Sequence, residues 1–276
     1  MSKALVVLSG GQDSTTCLFW AKKHFQEVHV ITFDYNQRHR CEIEAAMKVA
    51  SMAEVASHEV LQIGPILKGK SPLTNSNQEL ETYDDFASMA EIIGDRVELT
   101  FVPMRNLLFL TIAANRAACL GIDQLVIGVC AADNANYPDC RPKFVWAAMS
   151  AIGQALDQPR FFINAPVLHL SKSASIKLAL SLPGCYAALG YSHTAYDGKY
   201  PPKGNDHASI LRAHGFEEAG VPDPLVVRAA LEGKMVLPET KNYDYVRPII
   251  AIVGITEIEI GSFLKELEKY YKGQTK

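Results

Sequence analysis

One short segment near the N-terminus constrains the fold of this chain more than any other. Residues 4–8 are apolar, residues 9–14 read SGGQDS, and residues 14–25 carry apolar side chains at helical spacing. A strand that passes over two glycines straight into a helix is typical of proteins that alternate strands and helices. Such a turn collects backbone N–H groups at the positive end of a helix dipole, where an anion can bind.

The same alternation continues through the first two-thirds of the chain. Strands are predicted at 4–8, 28–33, 57–63, 125–130 and 161–164, and helices at 14–25, 39–52, 106–120, 143–156 and 171–180. This order implies right-handed crossovers and a doubly wound, five-stranded parallel sheet with helices on both faces. The predicted fold class is therefore α/β, with the ligand bound beyond the carboxyl ends of the strands.

Two later segments lack this pattern. Residues 64–95 are polar and predict a functional lid or a disordered connection. Residues 184–224 are dense in Gly, Pro, His and Tyr and predict loops. A final helix is predicted at 256–272, where Thr256 and Glu259 have capping-box spacing. Its apolar stripe, which we expect to dock on the core, is Ile260, Phe263, Leu264, Leu267 and Tyr271.

Composition narrows the functional class. The 276 residues carry a net charge of −3, which disfavours a dedicated nucleic-acid binder, and no apolar run is long enough to span a membrane. The six cysteines are scattered without a CxxC pair, which favours a reduced, cytoplasmic location. A tRNA-thiolating enzyme, which would use a cysteine pair and a basic face, is therefore disfavoured.

The SGGQDS loop predicts pyrophosphate binding. Gly10 and Gly11 let the backbone approach an anion, Ser9 and Ser14 add hydroxyl donors, and the Asp13 carboxylate is suited to Mg²⁺. No Walker lysine follows, so transfer of the γ-phosphate is not expected. SGGxDS resembles the PP-loop ATP pyrophosphatases, a fold of the adenine nucleotide alpha hydrolase type. The residues expected to bind ATP are Leu8, Ser9, Gly10, Gly11, Gln12, Asp13, Ser14, Thr15, Phe33 and Arg38.

Three further segments narrow the resemblance. Residues 32–40 read TFDYNQRHR, residues 100–106 read TFVPMRN, and residues 128–141 read GVCAADNANYPDCR. Together with the loop they resemble the QueC family, the 7-cyano-7-deazaguanine synthases, over residues 3–216. The resemblance implies a ligase that uses ATP, Mg²⁺ and ammonia to turn a 7-carboxy-7-deazaguanine carboxylate into an amide and then a nitrile. A homodimer is the assembly that it implies.

The resemblance also implies site residues. Asp13, Lys172 and Arg105 are the expected catalytic residues, with Asp13 also holding Mg²⁺. The expected substrate-binding residues are Arg105, Asn106, Asp133, Tyr137, Asp139 and Arg141. From the residues alone, Arg105 and Asn106 can equally start a helix, Asp139 can belong to a Pro-Asp turn, and Lys172 can be a solvated lysine in a first helical turn.

The chain departs from the family at its zinc site. The four cysteine positions hold Ala195, Lys203, Asp206 and Ser209, which cannot make a tetrahedral zinc site, so zinc is expected to be absent. A replacement site formed by Cys185, His193, Asp206 and His207 is a weaker alternative. We expect an ATP-binding domain over residues 1–182, with the loop-rich, helical extension 183–276 packed on the same core and offsetting the lost metal.

Other departures concern the product. Met104 stands where the family commonly has Gly, and Ala131 and Ala174 stand where acidic residues are common. We expect Met104 and Ala131 to flank the substrate pocket, so they bear on the product more than on adenylation. The alternative functions are an enzyme that stops at the amide or joins the deazaguanine to a protein, and a nucleotide binder without catalysis.

Overall fold

The chain folds around a five-stranded parallel sheet with the strand order β3-β2-β1-β4-β5. The computed structural model describes residues 2–37, 41–75, 77–131, 136–250 and 256–274. The strands are β1 (Lys3–Val7), β2 (Glu27–Asp34), β3 (Ser57–Gln62), β4 (Gln124–Val126) and β5 (Phe162–Asn164). All five predicted strands and the α/β class are confirmed. The fourth strand ends four residues earlier than predicted, because the chain leaves the sheet to pass the N-terminus of the first helix.

Helices connect and cover the strands. The described helices are α1 (Gln12–His24), α2 (Cys41–Met52), α3 (Phe86–Ile93), α4 (Arg105–Cys119), α5 (Pro142–Ala155), α6 (Lys172–Ser181), α7 (Cys185–Leu189), α8 (His207–Ala219), α9 (Pro224–Leu231), α10 (Arg247–Ile250) and α11 (Glu257–Gln274). Short 3-10 turns lie at Pro138–Cys140 and Lys241–Tyr243. No helix in the described ranges has both the length and the hydropathy that crossing a membrane requires.

Two apolar layers cover the two faces of the sheet. Side chains alternate across a strand, so neighbours on β1 enter opposite layers. Val6 packs with residues of α1, α6, α7 and α11, whereas Leu5 packs with residues of α4 and α5. The doubly wound arrangement follows from this alternation, because each strand has an apolar residue for both faces.

The polar segments contain helices that the sequence analysis did not predict. Helix α3 lies within residues 64–95, and α7 and α8 lie within residues 184–224, so both segments were wrongly predicted as connections without helices. In α3, Asp85 and Ser88 form a capping box. Met89 and Ile93 of α3 pack against Ile210 of α8, so each helix covers apolar surface of the other.

The C-terminal helix α11 has the capping box and buried stripe that the sequence predicts. Glu259 donates its backbone N–H to Thr256 Oγ1 at 3.4 Å and accepts the Thr256 N–H at 2.6 Å. Leu264 is fully buried, and the helix joins the same apolar layer as α1 and α6. The Glu268 carboxylate accepts the N–H groups of Gly184 and Ala187 at 2.7 and 3.2 Å. Helix α11 thereby supplies hydrogen-bond acceptors to the start of α7.

Candidate active site

A cavity of about 320 Å³ opens at the carboxyl ends of three neighbouring strands. Leu8 follows β1, Phe33 is the last residue but one of β2, and Ile127 follows β4, and all three line the cavity. The crossovers leave the sheet in opposite directions from β1 and β4, so their carboxyl ends form the crevice that α/β folds use for ligands. The predicted location of the ligand site at this edge is therefore where the structure has its cavity.

The SGGQDS loop forms the floor of this cavity. Gly10 has a φ of +90°, and a Cβ on it would lie 2.2 Å from the backbone oxygen of Glu42. Only glycine can therefore bring this turn against α2. Above the turn, Ser9 Oγ and Ser14 Oγ are 3.0 Å apart, and the Ser9 N–H donates to Ser14 Oγ at 3.2 Å. The hydroxyl groups are held together at the N-terminus of α1.

The chain after β4 presses against the same helix start. A Cβ on Gly128 would lie 2.6 Å from the backbone nitrogen of Ser14. The missing side chain lets residue 128 pass directly beside the first turn of α1. This contact explains why β4 is short, and it sets one wall of the cavity against the loop.

Lys172 reaches the loop from α6. Its Nζ lies 2.6 Å from Asp13 Oδ2, with side chains 11% and 18% exposed respectively. A Cβ on Gly215 of α8 would lie 2.5 Å from the Cβ of Lys172, so α8 supports the lysine from behind only because residue 215 is glycine. A pair this shielded is screened less than a surface ion pair. The Lys172 ammonium therefore adds a fixed positive charge beside the anion-binding turn.

Buried polar atoms mark the loop as a binding surface. The side-chain amide of Gln12 and the hydroxyl of Thr15 have no hydrogen-bond partner among the residues that the structure describes. Both residues are almost fully buried, and Gln12 lines the cavity. Buried polar groups are rarely left unsatisfied in native proteins, and an absent ligand is one common explanation. The amide donors of Gln12 fit the oxygens of a bound phosphate.

Arg105 and Tyr137 belong to the wall of the same cavity. The Tyr137 hydroxyl donates a hydrogen bond to the buried Glu98 carboxylate at 3.0 Å. Thr100 hydrogen-bonds to both of these side chains. Burial raises the pKa of Tyr137 well above its ordinary value, with the nearby Tyr196 and Glu98 adding to the rise. Tyr137 is therefore a neutral hydroxyl group held in one orientation. Arg105 supplies the positive charge of this wall.

Asn106 and Asp139 bond to each other rather than pointing freely into the cavity. Asp139 Oδ2 accepts the backbone N–H of Asn106 at 3.4 Å, and Asn106 Nδ2 donates to the backbone oxygen of Asp139 at 3.2 Å. Burial raises the pKa of Asp139, although Arg105 opposes the rise. The pair fixes the start of α4 to the 3-10 turn at Pro138–Cys140. Asp139 Oδ1 is buried without a hydrogen-bond partner among the described residues, and the role of Asp139 in substrate binding stays a prediction.

The cavity gathers most of the residues predicted from the sequence. Those that line it are Leu8, Ser9, Gly11, Gln12, Asp13, Ser14, Phe33, Arg105, Asn106, Tyr137, Arg141 and Lys172. Gly10, Thr15 and Asp139 lie behind its surface. Arg38 and Asp133 lie outside the described residues.

Two of the positions at which this chain departs from the family pattern were expected beside the substrate pocket. Ala131 lines the cavity, as expected. The expectation for Met104 was wrong. Met104 is 62% exposed and takes a φ of +66° as the residue before α4. It occupies a left-handed turn that glycine would adopt without strain, so the substitution affects the turn rather than the cavity surface.

Several lining residues were not predicted. They are Tyr35, Gln37, Glu42, His193, Thr194 and Tyr196. Glu42 reads in the sequence as an ordinary acidic residue in the first turn of a helix, and residues 193–196 as part of a loop. No local pattern marks them, because Glu42 is placed by the contact of α2 with Gly10, and residues 193 and 194 by hydrogen bonds to the loop. Burial raises the pKa of Glu42 to about 7, against the opposing charge of Arg105.

Hydrogen bonds connect the segment in which the family resemblance implies a zinc site. Asp206 caps α8, accepting the Ser209 N–H at 3.1 Å and its hydroxyl at 2.6 Å. Asp197 accepts the backbone N–H of Lys203 at 3.0 Å, and Ala195 is buried. Within the described ranges, no group of three or more His, Cys, Asp and Glu side chains could hold a metal, including the alternative set around Cys185.

Arg212 connects this segment to the loop. It pairs with both carboxylate oxygens of Asp223 at 2.6 and 2.8 Å, and donates to Ser192 Oγ and Thr194 Oγ1 at 2.8 and 2.9 Å. Thr194 Oγ1 in turn accepts the Gln12 N–H at 3.4 Å. The neighbouring His193 N–H donates to the backbone oxygen of Gly10 at 2.8 Å. One buried arginine therefore holds residues 192–194 against the anion-binding turn.

Comparison with known proteins agrees with this geometry. The family model described as "Queuosine biosynthesis protein QueC" matches residues 3–220. The chain belongs to the QueC family. A relative from Gloeobacter violaceus named 7-cyano-7-deazaguanine synthase is 49% identical over 82% of this chain and 96% of its own length. One of the same name from Laribacter hongkongensis is 44% identical over 82% of this chain and 95% of its own length.

Similarity to solved structures is much weaker. An NH3-dependent NAD synthetase from Campylobacter jejuni is 13% identical with a TM-score of 0.38, covering 98% of this chain and 86% of that one. A likeness of this size carries no argument about function. The QueC assignment depends on the sequence match across residues 3–220, and helices α9 to α11 lie beyond that match.

Proposed function

We propose that this chain is an ATP-dependent carbon–nitrogen ligase that converts 7-carboxy-7-deazaguanine and ammonia into 7-cyano-7-deazaguanine, with release of AMP. The main support is that residues of the SGGQDS loop and Arg105 line one and the same cavity. The reaction needs an anion-binding loop and an acceptor carboxylate in contact with the same α-phosphorus. The name shared by the relatives at 49% and 44% identity supports the same product.

The first stage forms an amide. A carboxylate oxygen of the substrate attacks the α-phosphorus of ATP, and pyrophosphate leaves. Ammonia then attacks the carbonyl carbon, and AMP departs with the carboxylate oxygen. We assign the loop and Lys172 to the negative charge that develops on the leaving pyrophosphate, because fixed donors aimed at developing charge lower a barrier most. The Arg105 guanidinium is suited to the substrate carboxylate, which it can bind through two oxygens.

The second stage forms the nitrile in the same cavity. The amide oxygen attacks the α-phosphorus of a second ATP, and a second AMP departs as the carbon–nitrogen triple bond forms. Tyr137, held neutral and oriented by Glu98, is placed to hydrogen-bond the heterocycle. Asn106 and Arg141 line the same wall. Both stages thus use one set of side chains.

Asp13 is the residue assigned to Mg²⁺. Mg²⁺ is commonly held by one or two carboxylates together with substrate phosphates and water. One carboxylate beside an anion-binding turn fits that pattern, and the bound ion would neutralise charge on the departing pyrophosphate. Lys172 Nζ, 2.6 Å from Asp13 Oδ2, holds this carboxylate beside the anion-binding turn.

We further propose a cytoplasmic location, because all six cysteines are free. The division into an ATP-binding domain, 1–182, and an extension, 183–276, is also a proposal. Packing of α11 in the same apolar layer as α1 supports the view that the extension does not fold separately. A homodimer remains a prediction.

The decisive test is the mass of the product. The protein is incubated with 7-carboxy-7-deazaguanine, ATP, Mg²⁺ and ammonium, and products are identified by mass spectrometry. We expect the nitrile and two AMP per product. Accumulation of the amide, or a mass increase on an added protein, would support the alternative, which the replacement at Ala131 in the cavity wall favours. No substrate-dependent pyrophosphate release would leave only nucleotide binding.

A further inference from the structure

The proposed reaction produces protons that some group in the cavity must accept. Ammonia is present at neutral pH almost entirely as ammonium, which has no lone pair for attack. Amide formation therefore requires a proton acceptor for ammonium, and nitrile formation requires one for the amide nitrogen. Arg105 cannot fill this role because its guanidinium has no acceptor, and the hydroxyl and amide groups of the loop are too weakly basic at neutral pH, which leaves the carboxylates and histidines of the cavity.

Two carboxylates line the cavity among the residues that the structure describes, Asp13 and Glu42. Asp13 is committed to the Lys172 ammonium at 2.6 Å. Two histidines also line the cavity, His193 and His207. His193 is hydrogen-bonded through Nε2 to the backbone oxygen of Ala195 at 2.9 Å, and His207 is the first residue of α8. The Glu42 side chain lines the cavity and has no hydrogen bond or ion pair with another described residue.

The position of Glu42 follows from the fold. Its backbone oxygen lies against Gly10, so the first turn of α2 is held beside the anion-binding turn. Arg105, on α4, is near enough for its charge to act on the Glu42 carboxyl. Glu42 therefore lines the cavity beside the anion-binding turn, in a part of the cavity that Arg105 also lines. We place the carbonyl carbon and the attacking nitrogen in this part of the cavity.

We propose that Glu42 is the general base of the amine-transfer steps, which rests on the proposed function above. The carboxylate takes a proton from ammonium, and the nitrogen lone pair attacks the carbonyl carbon of the adenylate. The carbon–oxygen bond to AMP breaks, and the nitrogen loses a second proton to water. Glu42 then releases its proton to water. In the second stage the nitrogen of the adenylated amide loses one proton to water, and Glu42 accepts the other while the carbon–nitrogen triple bond forms and AMP leaves.

The surroundings of Glu42 suit this role. Burial, the larger influence, raises its pKa to about 7, and Arg105 opposes the rise. The other titratable groups that it influences are Tyr35, after β2, and Cys41, on its own helix, and both have raised pKa values. A base is most effective when its pKa lies near the working pH. Activity should therefore rise as pH increases through about 7, where Glu42 loses its proton.

The test uses Glu42→Gln, with Glu44→Gln as the matched control on an exposed position of the same helix turn. With ammonium, amide formation by Glu42→Gln should fall roughly 10²- to 10⁴-fold, as expected for loss of a general base. Hydroxylamine is neutral at pH 7 and attacks without a base. The rate at which Glu42→Gln forms the hydroxamate should therefore stay within about tenfold of the rate of the unmodified protein. Glu44→Gln should react as fast as the unmodified protein with both amines.

If Glu42 only supported the structure, its substitution would slow the reactions of both amines to the same extent. Equal loss with ammonium and hydroxylamine, or no loss with ammonium, would overturn the proposal. Absence of substrate-dependent exchange of pyrophosphate into ATP in the unmodified protein would instead overturn the proposed function, and this inference with it.

The unmodified protein provides a second measurement should Glu42→Gln fail to fold. Its kcat/KM for total ammonium should rise with pH and level off above about 7. A continued rise of roughly tenfold per pH unit to well above neutrality would mean that dissolved ammonia reacts without a base, and would contradict the proposal.

Discussion

Lys172 Nζ lies 2.6 Å from Asp13 Oδ2, although 159 residues separate the two in the chain. The pair joins the first turn of α6 to the first turn of α1, and both turns face the cavity. Side chains from the two ends of the sheet domain thereby form one charged unit at the pyrophosphate site. The following predictions test this unit and the elements that support it.

Lys172→Met should abolish most of the adenylation activity. The substitution removes a fixed positive charge where negative charge develops, and loss of one such donor costs about 10²- to 10³-fold in rate. Exchange of labelled pyrophosphate into ATP in the presence of the carboxylate measures the step. Lys177→Met, an exposed position on the same helix, is the control and should keep full exchange. Equal exchange in both variants would exclude Lys172 from the site.

Gly215→Ala should impair the same step without touching the cavity. Alanine is normally favoured over glycine within a helix by about 1 kcal/mol. Here the added Cβ would stand 2.5 Å from the Cβ of Lys172, so α6 and α8 must move apart. We expect lower exchange activity and a lower melting temperature. Gly273→Ala, in α11 with nothing within 4 Å of the new Cβ, should leave both unchanged.

Arg212→Met should destabilise the protein by about 3–5 kcal/mol, because it leaves the Asp223 carboxylate buried without its partner. It should also raise the KM for ATP, because residues 192–194 lose their support beside Gly10. Urea unfolding and the kinetics of exchange measure the two effects. Arg116→Met is the control. Its pair with Glu59 is more exposed to solvent, so we expect the free energy of unfolding to fall by at most about 1 kcal/mol.

Glu268→Ala should weaken the attachment of the C-terminal extension. It removes the acceptor of the Gly184 and Ala187 N–H groups, and two buried donors left unsatisfied cost about 1–3 kcal/mol each. Glu266→Ala, exposed two residues earlier, should have little effect. Deletion of the residues after Pro238 should lower the melting temperature sharply. An unchanged melting curve would refute the view that the extension offsets the missing zinc.

Much of this architecture can be predicted from local sequence patterns. The five strands, the loop over Gly10 and Gly11, and the capping box at Thr256 each depend on neighbouring residues. Helix α8 could not be predicted this way, because it buries polar residues such as His207 and Arg212 alongside apolar ones. Its stability comes from the Asp206 cap and from contacts with distant elements.

The candidate site likewise contains residues that a local sequence pattern predicts and residues that only tertiary contacts bring into place. Residues of the SGGQDS loop are contiguous, so the pattern alone predicts that they act together. Glu42 is different: it reaches the cavity only because Gly10 lets α2 approach the loop, which is a tertiary contact. The paired bonds of Asn106 and Asp139 likewise depend on α4 meeting the turn at Pro138–Cys140. Motif resemblance could place these residues near the substrate but could not show that they bond to each other.

The central claim is that both oxygens of the substrate carboxylate are transferred to α-phosphorus. The direct test uses 7-carboxy-7-deazaguanine labelled with ¹⁸O in both carboxylate positions, with ATP, Mg²⁺ and ammonium. The account predicts two AMP molecules per nitrile, each carrying one ¹⁸O, and unlabelled pyrophosphate. Label in orthophosphate, or AMP without label, would contradict it.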